Sequence, residues 1–211
     1  MQGERAMKSI FEVKVMIEYM RMCEEGVAQG WHERNGGKPT SEFPTHFMNH
    51  SVRKRVTNGE NRIIYHAHTP NVIALTYVLP LTATAFTRLL WKSATECCVV
   101  FPGGVGVVPW MVPGGADIAK ATCAEMEKYD AAIWAFHGLF VSGPDFDIAF
   151  GLMHTIEKAA QIAAIALSSS KDGKFRQAIT DENLRQIGKE FGVTLNEEIL
   201  TDTSEDSVYM L

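Results

Sequence analysis

The chain has 211 residues, 46% hydrophobic and 21% charged, with 20 Lys+Arg against 25 Asp+Glu for a formal net charge of -5. That is the make-up of a soluble globular protein, and at this length folding removes roughly 70% of the unfolded surface from water, enough for a core without disulfide or metal staples. The acidic balance argues against nucleic acid as a partner, since the one dense basic run, Arg53-Lys54-Arg55, reads as a solvated helix face.

No stretch approaches the run of about 18 apolar residues that a spanning helix requires, so no membrane partner is expected. The opening Met1-Gln2-Gly3-Glu4-Arg5 carries no apolar secretory pattern. Cys23, Cys97, Cys98 and Cys123 form no Cys-x-x-Cys pair, which fits neither a disulfide framework nor a thiolate zinc site. A reduced, cytoplasmic compartment is the expectation.

Apolar residues recur at helical spacing from Met7 to Gln29, with Gly30 placed to stop the helix. A turn follows at Glu33-Arg34-Asn35-Gly36-Gly37. Thr40 or Ser41 can cap a second helix that runs to about Val56, with Phe43 and Phe47 an i,i+4 pair. After the Asn58-Gly59 turn, Arg62 to His68 reads as a strand, and Pro70-Asn71 opens a short helix through Val78.

A further helix over Phe86 to Trp91 leads into two short predicted strands, Cys97 to Phe101 and Val105 to Val108. Ala116 to Lys128 reads as a helix, and Ala131 to Phe140 as one largely apolar, central strand. Asp145 caps a long helix to about Leu167, and a last helix runs from Asp181 to Glu190, closed by Gly192. Residues 1–195 are expected to form a single α/β domain, a central, mostly antiparallel sheet flanked by helices. The acidic tail, residues 196–211, is expected to fray.

His66-Ala67-His68 carries the sharpest chemical signal, because residues two apart on a strand point to the same face. Two imidazoles converging there make half of a zinc site, whose Zn–N distances of about 2.0–2.1 Å require stiff backbone. His137 can supply a third ligand, with Gly138 beside it leaving room for close approach. The alternative is that these are ordinary polar residues at strand ends. A competing set, Glu42, His46 and His50, lies at successive i,i+4 steps on the second helix, although Phe47 stands where a zinc hydrolase has its Glu. Glu42 is also placed as a base at a helix start, where free N–H groups favour anions; an ordinary first-turn Glu is the plainer alternative.

Taken together, Trp31-His-Glu-Arg-Asn-Gly-Gly37, Pro39-Thr-Ser-Glu-Phe-Pro-Thr-His46, His66-Ala-His68-Thr-Pro-Asn71, Ser93-Ala-Thr-Glu-Cys97, Val107-Val-Pro-Trp-Met-Val-Pro-Gly114 and Phe136-His-Gly138 resemble the class II zinc aldolases related to fuculose-phosphate aldolase. The resemblance extends from about Val27 to Val193. It implies one Zn2+ per subunit on His66, His68 and His137, with Glu42 as general acid/base. It implies that Glu96 assists at a neighbouring subunit's site in a homotetramer, and that Asn35, Gly37, Thr40 and Ser41 belong to a phosphate pocket. The implied reaction is cleavage of L-rhamnulose 1-phosphate to dihydroxyacetone phosphate and L-lactaldehyde. One departure stands out: only Lys38 lies between Gly37 and Pro39, where the family carries a long segment with several strands.

Overall fold

A computed structural model describes residues 40–210. The helix expected over Met7 to Gln29, the turn at 33–37 with Asn35 and Gly37, and Cys23 lie outside the described residues.

In chain order the elements are α1 (Phe43–Val56), β1 (Ile63–Ala67), α2 (Pro70–Leu75), α3 (Ala83–Ser93), α4 (Cys97–Val100), β2 (Gly106–Val108), α5 (Ala116–Met126), β3 (Ala131–Trp134), β4 (Gly138–Gly143), α6 (Phe146–Ser169), α7 (Asp181–Phe191) and α8 (Glu197–Thr201), followed by a 3-10 turn at Asp206–Val208. The strands form one sheet in the order β1-β4-β3-β2. Two of its three pairings, β1 with β4 and β3 with β4, are antiparallel; β2 with β3 is parallel.

Alternation along the strands divides the core into two layers, as the two-residue period of a strand requires. Val107, Ala131, Ile133, Leu139 and Val141 pack with Ala149, Leu152 and Ile156 of α6 and with α3. Ile64, Val108, Ala132, Trp134 and Phe140 face the other way, against Ile118 and Met126 of α5. The sheet is thus covered on both faces, and β3 and β4, buried along their whole length, are its central strands.

Two capping expectations hold at residue level. The Asp145 carboxylate accepts the Ile148 N–H at 2.8 Å and caps α6. Gly192 closes α7 in the left-handed conformation that a residue without a β-carbon adopts at no steric cost. Cys97, Cys98 and Cys123 are free thiols. No helix among the described residues is long and apolar enough to cross a membrane.

Others are corrected. The Cys97 to Phe101 segment is a helical turn: Val100 N–H donates to Glu96 and Phe101 N–H to Cys97, with both cysteines buried. Burial has overridden its β-branched composition. The single strand expected over Ala131 to Phe140 is a hairpin, β3 and β4 joined by a tight turn at residues 135–137.

Arg53 is not solvated. Only 4% exposed, it donates to the carbonyls of Met126 and Tyr129 and pairs with Asp130, tying α1 to the end of α5. The tail from Asn196 does not fray within the described residues. Ile199, Leu200 and Tyr209 are buried, and Arg88 holds the segment through the Leu200 carbonyl and a two-pronged contact with Asp206.

Candidate functional site

His66, on β1 opposite Phe140, points to the α1/α5 side of the sheet and stacks on that ring, centroids 4.1 Å apart. Its Nδ1 lies 3.0 Å from the Leu139 carbonyl oxygen. A carbonyl can only accept, so this contact places the ring proton on Nδ1 and leaves a lone pair on Nε2. That Nε2 is buried and has no partner among the described residues. Burial pushes the His66 imidazole down to about 4; the Leu139 bond opposes this, and His137, His68 and His46 add to it.

His68 stands one residue past the strand and is exposed; His137 is the last residue of the hairpin turn. Their Nε2 atoms approach to 3.1 Å. Phe136 takes a positive φ of 64°, which a side chain with a β-carbon rarely adopts. The ligand nitrogens of His66, His68 and His137 all lie within 4.8 Å of one another, the geometry of a group able to hold an ion.

Glu42 is not in the first turn of α1; it is the residue that precedes it, 7% exposed. Ser41 Oγ donates to its Oε1 at 3.3 Å, while Oε2 is buried and has no partner among the described residues. Its charge is felt at His137, where burial lowers the imidazole and Glu42 raises it, and in the same sense at His46. The carboxylate and the triad therefore share one corner. The unmatched His66 Nε2 in the triad fits a bound cation, and the unmatched Glu42 Oε2 is an acceptor in the same corner, since buried acceptors cost free energy when left without a partner.

The competing helix set does not assemble. His50 is exposed, and the His46 ring packs on Phe140 with centroids 5.2 Å apart and 6.4 Å from the His66 ring. Thr40 and Ser41 are exposed next to Glu42, with Thr40 Oγ1 accepting the Glu42 N–H. Glu96 lies at the start of α4, exposed and bonded to Lys158 at 3.3 Å. A hydrogen bond from its own backbone N–H, and then the bond and charge of Lys158, hold its carboxyl below the usual range.

Sequence reasoning missed the supports. The Leu139 carbonyl and the Phe140 ring belong to the same chain segment as His137, but only strand pairing brings them to His66. Thr76, whose hydroxyl accepts the Phe136 N–H, and Glu157, which binds the start of α2, carry no local signal because their partners lie 60 to 86 residues away.

Residues 13–164 match the family described as Class II Aldolase and Adducin N-terminal domain. The chain is 50% identical over 164 residues to rhamnulose-1-phosphate aldolase of Escherichia coli (strain K12), across 78% of this chain and 59% of that protein. The same figures hold for the enzyme of that name from Shigella dysenteriae serotype 1 (strain Sd197). The chain thus spans about 59% of the length of these relatives.

Among solved structures, a sugar-phosphate aldolase from Thermotoga maritima is 33% identical, with a TM-score of 0.58 over 64% of this chain and 57% of that one. An L-fuculose 1-phosphate aldolase, 22% identical with a TM-score of 0.51 over 76% and 70%, shares the fold.

Proposed function

Because the chain belongs to the class II aldolase and adducin N-terminal domain family, we propose that it is a zinc-dependent lyase cleaving L-rhamnulose 1-phosphate to dihydroxyacetone phosphate and L-lactaldehyde. The observation that carries this reading is the His66, His68 and His137 cluster beside a buried Glu42 with an unmatched oxygen. The relatives' names supply the substrate, a ketose 1-phosphate.

In this reading the Nε2 atoms of His66, His68 and His137 hold the zinc, which supplies Lewis acidity where negative charge develops on the substrate's oxygens. Leu139 keeps His66 in the tautomer that offers Nε2, and the Phe140 ring fixes its plane. Cleavage breaks the C3–C4 bond, leaves the electron pair on C3 and converts the C4 hydroxyl to an aldehyde. A proton must therefore leave that hydroxyl and another must reach C3. Glu42 is the proton carrier of this corner: its buried Oε2 is the free acceptor, and Ser41 steadies Oε1.

Thr40 and Ser41, with Asn35 and Gly37, receive the phosphate. Their exposure and their hydrogen bonds with Glu42 support this for the first two. Glu96, exposed on the surface, serves the site of a neighbouring subunit in a homotetramer, and the compartment is the cytoplasm.

The test is release of dihydroxyacetone phosphate from L-rhamnulose 1-phosphate by the zinc-loaded 211-residue chain, with a chelator-treated sample alongside. Turnover that the chelator abolishes is expected. A folded, zinc-binding chain without turnover would overturn the lyase assignment and select a noncatalytic metal-binding relative, a reading favoured by the partial span of the relatives' length.

A further inference from the structure

Two metal-binding candidates, His68 and His137, meet from separate parts of the chain, and the ends of one short helix adjoin the neighbours of both. His68 is followed at once by Thr69, the residue preceding α2, and Pro70, its first residue. Glu157 of α6 grips this start. Its Oε1 accepts the Asn71 N–H at 3.0 Å and the Asn71 side-chain amide at 2.6 Å, and its Oε2 accepts the Val72 N–H at 3.0 Å. A carboxylate suits that place, where the free N–H groups of a helix start are concentrated.

At the other end of α2, Thr76 Oγ1 donates to the Ile73 carbonyl at 2.7 Å. That bond turns a lone pair outward, and the Phe136 N–H donates to it at 3.1 Å. Phe136 immediately precedes His137 and has φ of 64°. The Tyr77 ring meets the Phe136 ring edge-on at 4.7 Å. A left-handed conformation is costly for a residue with a β-carbon and persists only where its surroundings hold it. Thr76 and Tyr77 supply that hold.

Resting on the metal-site reading above, we propose that Glu157 and Thr76 are positioning residues which, acting through α2, set the approach of His68 to His137. Glu157 fixes where the chain leaves His68, and Thr76 fixes the strained turn that presents His137. Neither residue bonds an imidazole. Their effect is on where the second and third nitrogens sit relative to His66, whose own position is set by β1 and Leu139.

The experiment is cobalt(II) titration of the full chain, read by the visible spectrum of the bound ion and by competition with a chelator, with thermal unfolding of each metal-free variant in parallel. Thr76→Val and Glu157→Gln are expected to weaken cobalt binding by about 10–100-fold, the range for losing a supporting partner of a ligand, and to alter the spectrum. Thr76→Ser, which keeps the hydroxyl, restores wild-type affinity and spectrum. Asp145→Ala removes the cap of α6 and is expected to lower the unfolding temperature without changing either readout.

Wild-type binding by both Thr76→Val and Glu157→Gln would overturn the inference while leaving the metal site standing. So would an equal loss in Asp145→Ala, which would make the effect one of general stability. A wild-type chain that takes up no cobalt would overturn the metal site and the inference with it.

Discussion

A β-carbon placed on Gly138 would lie 2.5 Å from the carbonyl oxygen of Ala67 and 3.2 Å from Cε1 of His66. The first residue of β4 is therefore pressed against the end of β1, between two of the candidate ligands, and only glycine lets the hairpin close this near. The atom in the way is backbone, which cannot swing aside as a flexible side chain would.

Gly138→Ala should accordingly displace the end of β1 and with it His66 and His68. The expected cost is about 1–3 kcal/mol of stability, as for other overpacked sites, together with weaker zinc binding. Denaturant unfolding with and without zinc checks both. A variant as stable as the parent, with the parent's zinc affinity, would show that the strand gives way without disturbing the cluster.

Ligand and base should fail differently. His68→Ala removes one of three candidate nitrogens and should lose zinc and turnover together. Glu42→Gln keeps the shape of the side chain and removes the charge, so zinc should stay bound while turnover falls by about 10²–10⁴-fold, the usual contribution of general acid–base catalysis. Metal content measured beside dihydroxyacetone phosphate release separates the two. Near-full turnover in Glu42→Gln would remove it from the proton-transfer role.

The three histidines were legible in the sequence because a strand's two-residue period is simple: His66 and His68 had to converge, and a His followed by Gly suggested a close approach. The turn that presents His137 was hidden. Phe136 holds a conformation characteristic of glycine or asparagine, so an apolar run of ten residues reads as one strand. Arg53 and the tail differ from the sequence expectation for a shared reason. Arg53 meets acceptors 73 to 77 residues away, and Arg88 meets Asp206 at a separation of 118, so neither pairing leaves a local pattern.

Asp206 makes stability depend on pH. Burial raises its carboxyl, but the hydrogen bonds from Arg88 and Tyr209, with the charges of Arg88 and Lys92, outweigh that and hold it below the usual range. A folded value below the unfolded one means that the folded state binds fewer protons. The contribution is therefore complete above the unfolded value of about 3.9 and is lost as pH falls through the lower folded value. The difference in unfolding free energy between the parent and Asp206→Asn should be constant from about pH 7 to 5 and shrink below about 4. A difference that grew on acidification would contradict the assignment of the charge to this pair.

Leu200 decides whether the acidic tail belongs to the folded unit. It is 1% exposed, its carbonyl accepts from the guanidinium of the equally buried Arg88, and its neighbours Ile199 and Tyr209 lie in the same core layer as α3 and α6. Leu200→Ala should cost about 2–5 kcal/mol, the range for a large core side chain cut back to a methyl. Glu198→Ala, on the exposed side of the same short helix, should stay within about 0.5 kcal/mol, as surface changes do. Equilibrium unfolding in urea compares them directly. If both substitutions were neutral, the tail would be a passive cover. Loss in Leu200→Ala alone would show that residues past Asn196 stabilise the helix layer that Glu157 uses to hold α2 beside His68.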